Sequence, residues 1–152
     1  MNNKDAKRHY NYCRNELNYA SQILNLEIDL GFVIFMVSAI VIDDDKDVVE
    51  SFTIMLEFND VNVVGKGYDG KDAVELYQKL KPDFIVLDIL MPEYDGHYAI
   101  ENIRKFNPNA KIFVITADVS ESTAEKLTKA KVDFLYKPFK FDDIMDKLTP
   151  LV

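Results

Sequence analysis

The sequence predicts an α/β domain built on a doubly wound parallel sheet of five strands, with helices on both faces. Two observations support this fold class. Short apolar runs alternate five times with segments of helical spacing between Ser38 and Leu148, and such alternation is typical of parallel sheets with right-handed crossovers. The central run, residues 84–87, contains no polar residue, as expected of a strand that is covered on both faces.

Each element is predicted from a local pattern. Apolar runs predict strands, and apolar residues that recur every three or four positions predict helices. Gly65, Gly67 and the pair Asp69-Gly70 are turn residues, which places them in the loop after the second strand. The predicted strands are residues 39–42, 61–64, 84–87, 111–115 and 132–136, and the predicted helices include residues 48–56, 73–80, 99–106, 120–130 and 141–148.

The fourth predicted helix, residues 120–130, differs from the others because Leu127 is its only bulky apolar residue. A surface helix is normally held to a domain by a broad apolar stripe. Segments with few buried apolar contacts open most easily. We therefore expect this helix to be loosely held.

Length and composition favour one compact domain. The chain has 152 residues, of which 48% are hydrophobic, and this is enough for one well-buried core. The formal net charge of −8 argues against a nucleic-acid partner, since phosphate contacts need clustered Lys and Arg. A single cysteine, Cys13, permits no internal disulfide and fits a cytoplasmic protein in a reducing compartment.

Residues 1–35 differ in character from the rest of the chain, and their spacing predicts at most a weak helix. The apolar stretch 30–42 has 13 residues, fewer than the roughly 20 that span a bilayer, so no membrane association is expected. A signal peptide is disfavoured, because cleavage at Val37-Ser38-Ala39 would remove half of the first strand. We expect Met36 to be the functional start. Residues 1–35 would then be an untranslated or dispensable extension, and residues 36–152 the domain.

Polar residues follow four of the five predicted strands. Asp43 and Asp44 follow the first strand, Asp88 the third, Thr116 the fourth and Lys137 the fifth. The carboxyl ends of parallel strands form one edge of the sheet, where ligands bind, so these side chains should lie close together. Three neighbouring carboxylates repel one another unless a cation joins them, and Mg²⁺ suits such oxygen ligands.

This set of side chains predicts phosphoryl transfer. A carboxylate beside Mg²⁺ can attack phosphorus and form an acyl phosphate, while Lys137 and Thr116 supply the positive charge and the hydroxyl donor that stabilise the transferred group. Each residue also has an ordinary structural explanation: Asp44 or Asp45 could cap a helix, Thr116 could be a β-former, and Lys137 could be an exposed lysine. Their joint occurrence at one edge of the sheet favours the functional interpretation.

Four short motifs carry a resemblance to a known family. They are residues 40–45 (Ile-Val-Ile-Asp-Asp-Asp), 88–96 (Asp-Ile-Leu-Met-Pro-Glu-Tyr-Asp-Gly), 115–117 (Ile-Thr-Ala) and 137–139 (Lys-Pro-Phe). With these motifs, residues 36–148 resemble the receiver domain of two-component response regulators, and are similar to its single-domain chemotaxis and sporulation-relay types. The resemblance implies a flavodoxin-like fold with strand order 2-1-3-4-5. It also implies that Asp88 accepts a phosphoryl group from a phosphohistidine on a histidine kinase or a phosphotransfer protein.

The resemblance further implies a metal site. Its ligands would be the carboxylates of Asp43, Asp44 and Asp88 and the backbone carbonyl of Leu90, and its ion would be Mg²⁺. The side chain of Leu90 is apolar where it would lie beside the phosphoryl group, which leaves the lifetime of the acyl phosphate open.

A switch is implied as well. Thr116 and Phe134 would shift together on phosphorylation, and the Lys137-Pro138 peptide bond would be cis. Phe134 has no hydroxyl, where some members of the family carry Tyr. A switch in this chain would therefore work by packing alone.

The signal is expected to leave through a protein surface and not through an attached output domain. The surface comprises the fourth helix, the fifth strand and the fifth helix, which are residues 120–130, 132–136 and 141–148. A downstream protein would bind there, and the domain would be a monomer or a phosphorylation-dependent dimer.

The residues leave two other functions open. A Mg²⁺-dependent phosphohydrolase of the haloacid dehalogenase type also uses an aspartyl nucleophile after a first strand, and residues 43–45 fit its opening motif superficially. Against it, Asp47 stands where Thr or Val would be expected, and Asp142-Asp143 lies inside the last helix. The second alternative is a receiver-like binding module that is never phosphorylated, and the complete acidic set argues against it.

Overall fold

The computed structural model describes residues 37–148, within which five strands and five helices alternate. The strands are β1 (Ser38–Ile42), β2 (Asn62–Gly67), β3 (Phe84–Leu87), β4 (Ile112–Thr116) and β5 (Asp133–Tyr136). The helices are α1 (Lys46–Phe58), α2 (Gly70–Leu80), α3 (Gly96–Phe106), α4 (Glu121–Lys129) and α5 (Phe141–Leu148). The weak N-terminal helix, the argument against a signal peptide and the start at Met36 concern residues outside this range, and they stay predictions.

The five strands form one parallel sheet in the order β2-β1-β3-β4-β5, which confirms the predicted fold class and strand order. Ile42 at the end of β1 pairs with Gly67 of β2 on one side and with Leu87 of β3 on the other. All the strands therefore end at the same edge of the sheet. The chain reverses its winding direction between β1 and β3, and the crevice at that point is where doubly wound folds bind ligands.

Helices cover both faces of the sheet. On one face α2, α3 and α4 contribute buried residues that include Ala73, Ile103 and Leu127. On the other face α1 and α5 contribute buried residues that include Phe52 and Ile144. Successive strand residues point to opposite faces, so Ile85 joins the first cluster and Val86 the second. This double cover explains why β3 is apolar at every position.

The second strand is longer than predicted. The apolar run predicts an end at Val64 and a loop that contains Gly65 and Gly67, whereas β2 continues through Gly67. The glycines are needed for packing, because a Cβ atom on Gly65 would lie 2.8 Å from Cδ1 of Leu80 in α2. Glycine signals a turn in a sequence, but here it allows a helix to approach the strand closely.

Carboxylates and a hydroxyl fix where the helices begin. Asp45, Asp69 and Asp95 cap α1, α2 and α3 by accepting hydrogen bonds from backbone N–H groups of the first turn, and Ser120 caps α4. Such caps satisfy N–H groups that have no partner within the helix. The pair Asp69-Gly70, predicted to lie in a loop, is therefore the start of α2.

The fourth helix has the narrow buried face that its sequence predicted. Leu127 is fully buried, and Thr123 is the other buried residue of α4. Between residues 37 and 148, the chain has no helix with the length and apolar character needed to cross a membrane.

Candidate functional site

An acidic pair and a lysine meet at the carboxyl edge of the sheet. Nζ of Lys137 lies 2.7 Å from Oδ2 of Asp43 and 3.2 Å from Oδ1 of Asp88. These residues follow β5, β1 and β3, and Lys137 and Asp43 are 94 positions apart in the sequence. Both aspartates are about 5% exposed, whereas Lys137 is partly exposed. The fold thus places two buried carboxylates around one ammonium group that solvent can reach.

Backbone hydrogen bonds hold these residues in place. The N–H of Asp88 donates to the carbonyl of Ile42 at 2.9 Å, and the N–H of Lys137 donates to the carbonyl of Thr116 at 2.8 Å. Each bond ties a site residue to the last residue of a neighbouring strand. The sheet itself therefore positions the site.

Burial and the neighbouring opposite charge shift the pKa of each partner of this ion pair in opposite directions. Burial raises the pKa of Asp88, and the ammonium of Lys137 and the N–H of Leu90 only partly offset that increase. Burial alone would lower the pKa of Lys137, but the hydrogen bond and charge of Asp43 and the charge of Asp88 outweigh it and raise that pKa. The lysine therefore stays charged, while the Asp88 carboxylate is less stabilised than a carboxylate in water.

Of the three carboxylates predicted to converge, the structure brings two together. Asp43 and Asp88 meet at Lys137, but Asp44 is exposed and Asp45 is the cap of α1. Among residues 37–148, no three His, Cys, Asp or Glu side chains are grouped so that they could hold a metal ion. Asp43 and Asp44 both lie just beyond the end of β1, and Asp43 is the one of the two that is buried.

The acidic pair still fits Mg²⁺. This ion keeps several water ligands and is usually bound through one or two carboxylates together with phosphate oxygens, not by a cage of protein groups. Asp43 and Asp88 provide those two carboxylates on neighbouring strands. The backbone of Leu90 lies close enough to Asp88 to lower the pKa of that carboxyl group, and its side chain is exposed.

The two predicted switch residues lie on the adjoining strands. Thr116 is fully buried at the end of β4, and its Oγ1 accepts a hydrogen bond of 3.1 Å from the N–H of Asp118. Phe134 on β5 is partly buried and packs edge-on against Tyr136, with ring centroids 5.5 Å apart. The Lys137-Pro138 bond is cis, as predicted.

Sequence reasoning did not identify Asp118. Its carboxylate accepts hydrogen bonds from the N–H of Ser120 at 2.9 Å and from the hydroxyl of Thr123 at 2.6 Å. An Asp two residues before a Ser cap is a common local arrangement at helix starts, and this spacing was the available signal. The N–H of Asp118 also donates to Oγ1 of Thr116, two residues earlier, at the end of β4.

Comparisons with known proteins show the family of this chain. A family model described as the response regulator receiver domain matches residues 39–149. The chemotaxis protein CheY of Thermotoga maritima is 41% identical over 87 residues, which are 57% of this chain and 72% of that protein. CheY of Listeria monocytogenes is 31% identical over 114 residues, which are 74% of this chain and 96% of that protein.

Solved structures show the same fold. A chain of the CheX–CheY–BeF3–Mg complex from Borrelia burgdorferi superposes with a TM-score of 0.71 and 25% identity, over 76% of this chain and 89% of that chain. The receiver domain of the Francisella response regulator 1452 superposes with a TM-score of 0.68 and 30% identity, over 75% of this chain and 94% of that chain.

The fold and these similarities define a signalling domain of two-component systems. The chain belongs to the response regulator receiver domain family, and its fold is that of the CheY-like members. The resemblance predicted from the sequence motifs is confirmed. The family match also favours this class over the haloacid dehalogenase type of phosphohydrolase, and Asp142 and Asp143 lie in the first turn of α5, away from any strand end.

Proposed function

We propose that Asp88 accepts a phosphoryl group from a phosphohistidine on a histidine kinase or a phosphotransfer protein. The observation that carries this proposal is the contact of Asp43 and Asp88 with one ammonium group, that of Lys137, at the switch point of the sheet. A structural ion pair needs one carboxylate, and a second buried carboxylate beside it adds repulsion. Such an arrangement is reasonable where a further cation and a phosphate are to be bound.

The metal ligands belong to this proposal as well. Asp43 and Asp88 would hold Mg²⁺, with Asp44 and the backbone carbonyl of Leu90 completing the protein ligands. Bound there, the ion would offset the negative charge of the phosphoryl oxygens and of both carboxylates. Asp44 is exposed in the structure, so its contact with the ion would be direct only after its side chain turns inward, or would pass through water.

The proposed reaction is an in-line transfer. A carboxylate oxygen of Asp88 forms a bond to phosphorus, and the bond from phosphorus to the imidazole nitrogen of the donor breaks, with the electron pair staying on that nitrogen. Asp88 suits this role because burial removes water from its carboxylate and raises its pKa, both of which favour nucleophilic attack. The product is an acyl phosphate on Asp88.

Lys137 and Thr116 would bind the transferred group. The ammonium of Lys137 already lies within 3.2 Å of Asp88, so a small movement brings it to a phosphoryl oxygen. Oγ1 of Thr116 accepts a hydrogen bond from the N–H of Asp118, which leaves the hydroxyl proton available for donation. Donors that are in place before transfer stabilise the developing charge without reorganisation.

Output would follow from a shift between two conformations. When Thr116 moves toward the phosphoryl group, Phe134 can pack into the space it leaves, and a downstream protein would recognise the changed surface of α4, β5 and α5. Only a difference in affinity between the two conformations can drive such a shift. Partner binding should therefore change about 5- to 150-fold on phosphorylation, which is the usual range of coupling. The domain would act as a monomer or as a phosphorylation-dependent dimer.

Phosphoramidate tests this proposal, because it presents a phosphorus–nitrogen bond as phosphohistidine does. The full chain is incubated with phosphoramidate, with and without Mg²⁺, and bound and released phosphate are both followed. We expect uptake of one phosphate per chain that requires Mg²⁺. Steady hydrolysis of a generic phosphate ester would instead favour the phosphohydrolase, and no uptake from any donor would favour a binding module that is never phosphorylated.

A further inference from the structure

The loop between β4 and α4 is fastened at both ends by one residue, Asp118. Its backbone N–H donates to Oγ1 of Thr116 at 3.1 Å. Its carboxylate accepts from the N–H of Ser120 at 2.9 Å and from the hydroxyl of Thr123 at 2.6 Å. Through one residue, the buried hydroxyl at the end of β4 is joined to the first turn of α4.

The bond between Thr123 and Asp118 is the strongest part of this connection. Thr123 is only 4% exposed, and a buried hydroxyl needs a partner to offset its loss of water. An O–H donor on an ionised carboxylate gives a short, charge-assisted bond, and 2.6 Å is in that range. The same bond lowers the pKa of Asp118, with help from Ser120, so the carboxylate stays ionised.

The narrow buried face of α4 makes this bond consequential. Thr123 and Leu127 are the buried residues of the helix. One of these two, Thr123, is hydrogen-bonded to Asp118. A displacement of Asp118 therefore acts directly on a helix with little else to resist it.

We infer that Asp118 is a positioning residue that links the hydroxyl of Thr116 to the first turn of α4 and carries the phosphorylation signal between them. The inference rests on the proposed function, since it requires a phosphoryl group on Asp88. When Thr116 turns its hydroxyl toward that group, the N–H of Asp118 either follows Oγ1 or loses its acceptor. Because the carboxylate of Asp118 holds Ser120 and Thr123, the movement reaches α4 and is not absorbed by the loop.

The test replaces the hydroxyl of Thr123 and leaves Asp118 and the phosphorylation site unchanged. Thr123→Val keeps the side-chain shape and removes the donor, while Thr123→Ser keeps the donor. Thr128→Val is the matched control, because the hydroxyl of Thr128 donates to the carbonyl of Ala124 within the same helix. Amide hydrogen exchange of residues 117–129 is measured in the full chain with and without beryllofluoride and Mg²⁺. Binding of beryllofluoride is followed separately by fluorine NMR.

In the wild type and in Thr128→Val, beryllofluoride should change the exchange rates of α4 amides by about 5-fold or more, on the scale of ordinary coupling. Thr123→Val should bind beryllofluoride equally well and lose most of that change, and Thr123→Ser should restore it. If the role of Thr123 were merely structural, Thr123→Val would alter amide exchange of α4 in the ligand-free state, but beryllofluoride would still change that exchange as in the wild type.

Two results overturn the inference, and they are distinguishable. If Thr123→Val binds beryllofluoride and α4 responds as in the wild type, the link through Asp118 is wrong while the proposed function stands. If the wild type does not bind beryllofluoride with Mg²⁺, the proposed function fails and the inference fails with it.

Discussion

Gly96, the first residue of α3, lies directly against the backbone carbonyl of Asp88, and no space remains there for a Cβ atom. The N–H of Gly96 donates to the carbonyl of Ile89 at 3.0 Å, which brings the start of the helix back onto the end of β3. The backbone of the proposed phosphoacceptor is thus enclosed by the sheet on one side and by α3 on the other.

Gly96→Ala should therefore disturb the site and the fold together. The added methyl group must displace the backbone of Asp88 or of Ile89, and such overpacking typically costs about 1–3 kcal/mol. Urea denaturation should show this loss, and the rate of phosphorylation by acetyl phosphate should fall. Glu101→Ala, at an exposed position of the same helix, is the control and should stay within about 0.5 kcal/mol of the wild type. Wild-type stability and rate in Gly96→Ala would show that the close contact is unimportant.

Asp88→Asn should stabilise the domain at neutral pH in the absence of Mg²⁺. Burial raises the pKa of Asp88 in the folded state, so above the unfolded value of about 3.9 the folded chain binds more protons than the unfolded chain. The stability contributed by this group is therefore lost as pH rises through the folded pKa. The side-chain amide of Asn has nearly the same shape as the carboxyl group of Asp88 and carries no charge, so Asp88→Asn avoids that loss of stability.

Urea midpoints measured between pH 4 and pH 7 would check this prediction, with Asp133→Asn, at an exposed position of β5, as the control. The gain in Asp88→Asn should be larger at pH 7 than at pH 4. A variant that is less stable than the wild type at pH 7 would mean that the ion pair with Lys137 outweighs burial.

Lys137→Met should destabilise the domain and increase its response to Mg²⁺. The substitution leaves Asp43 and Asp88 buried without the ammonium group that both contact, which we expect to cost about 1–3 kcal/mol. A divalent cation between the carboxylates would replace the lost charge. Mg²⁺ should therefore raise the melting temperature of Lys137→Met more than that of the wild type, in a thermal scan with K⁺ as the ionic control. Equal responses would argue against a cation site at these carboxylates.

His97 on α3 should make the stability of the domain depend on pH. Burial lowers the pKa of His97, with the charges of Asp95 and Asp118 acting against that effect and the charge of Lys126 adding to it. The unfolded chain, with a histidine pKa near 6.5, therefore binds more protons than the folded chain between the two pKa values. Stability should rise with pH across this window and be lost as pH falls below about 6.5. Urea midpoints of His97→Gln should depend less on pH there, and an unchanged profile would assign the dependence to other groups.

The order of the strands and helices could be predicted from the sequence, because the patterns that mark them are local or depend only on burial. A strand covered on both faces must be apolar at each position, and β3 is. Prolines, turn residues and helical spacing then separate the remaining elements. The strand β2 was misjudged because Gly65 signals a turn in the sequence but serves packing in the fold.

The site was predicted less completely, since side-chain direction depends on the backbone at each strand end. That Asp43, Asp88 and Lys137 meet follows from three parallel strands ending at one edge. Which of Asp43 and Asp44 turns inward does not follow from residue type. The link from Thr116 through Asp118 to α4 consists of hydrogen bonds between residues two to five positions apart, but Asp is a common turn residue, so residue type alone did not single it out.

The most direct test of the account is to locate the phosphoryl group. The full chain and Asp88→Asn are treated with acetyl phosphate and Mg²⁺, and the intact mass of each is measured. Borohydride trapping and peptide mapping then locate the phosphorylated residue. We expect one phosphoryl group on the wild-type chain, on the peptide that contains Asp88, and none on Asp88→Asn. Equal uptake by Asp88→Asn, or a wild-type phosphoryl group on any other residue, would contradict it.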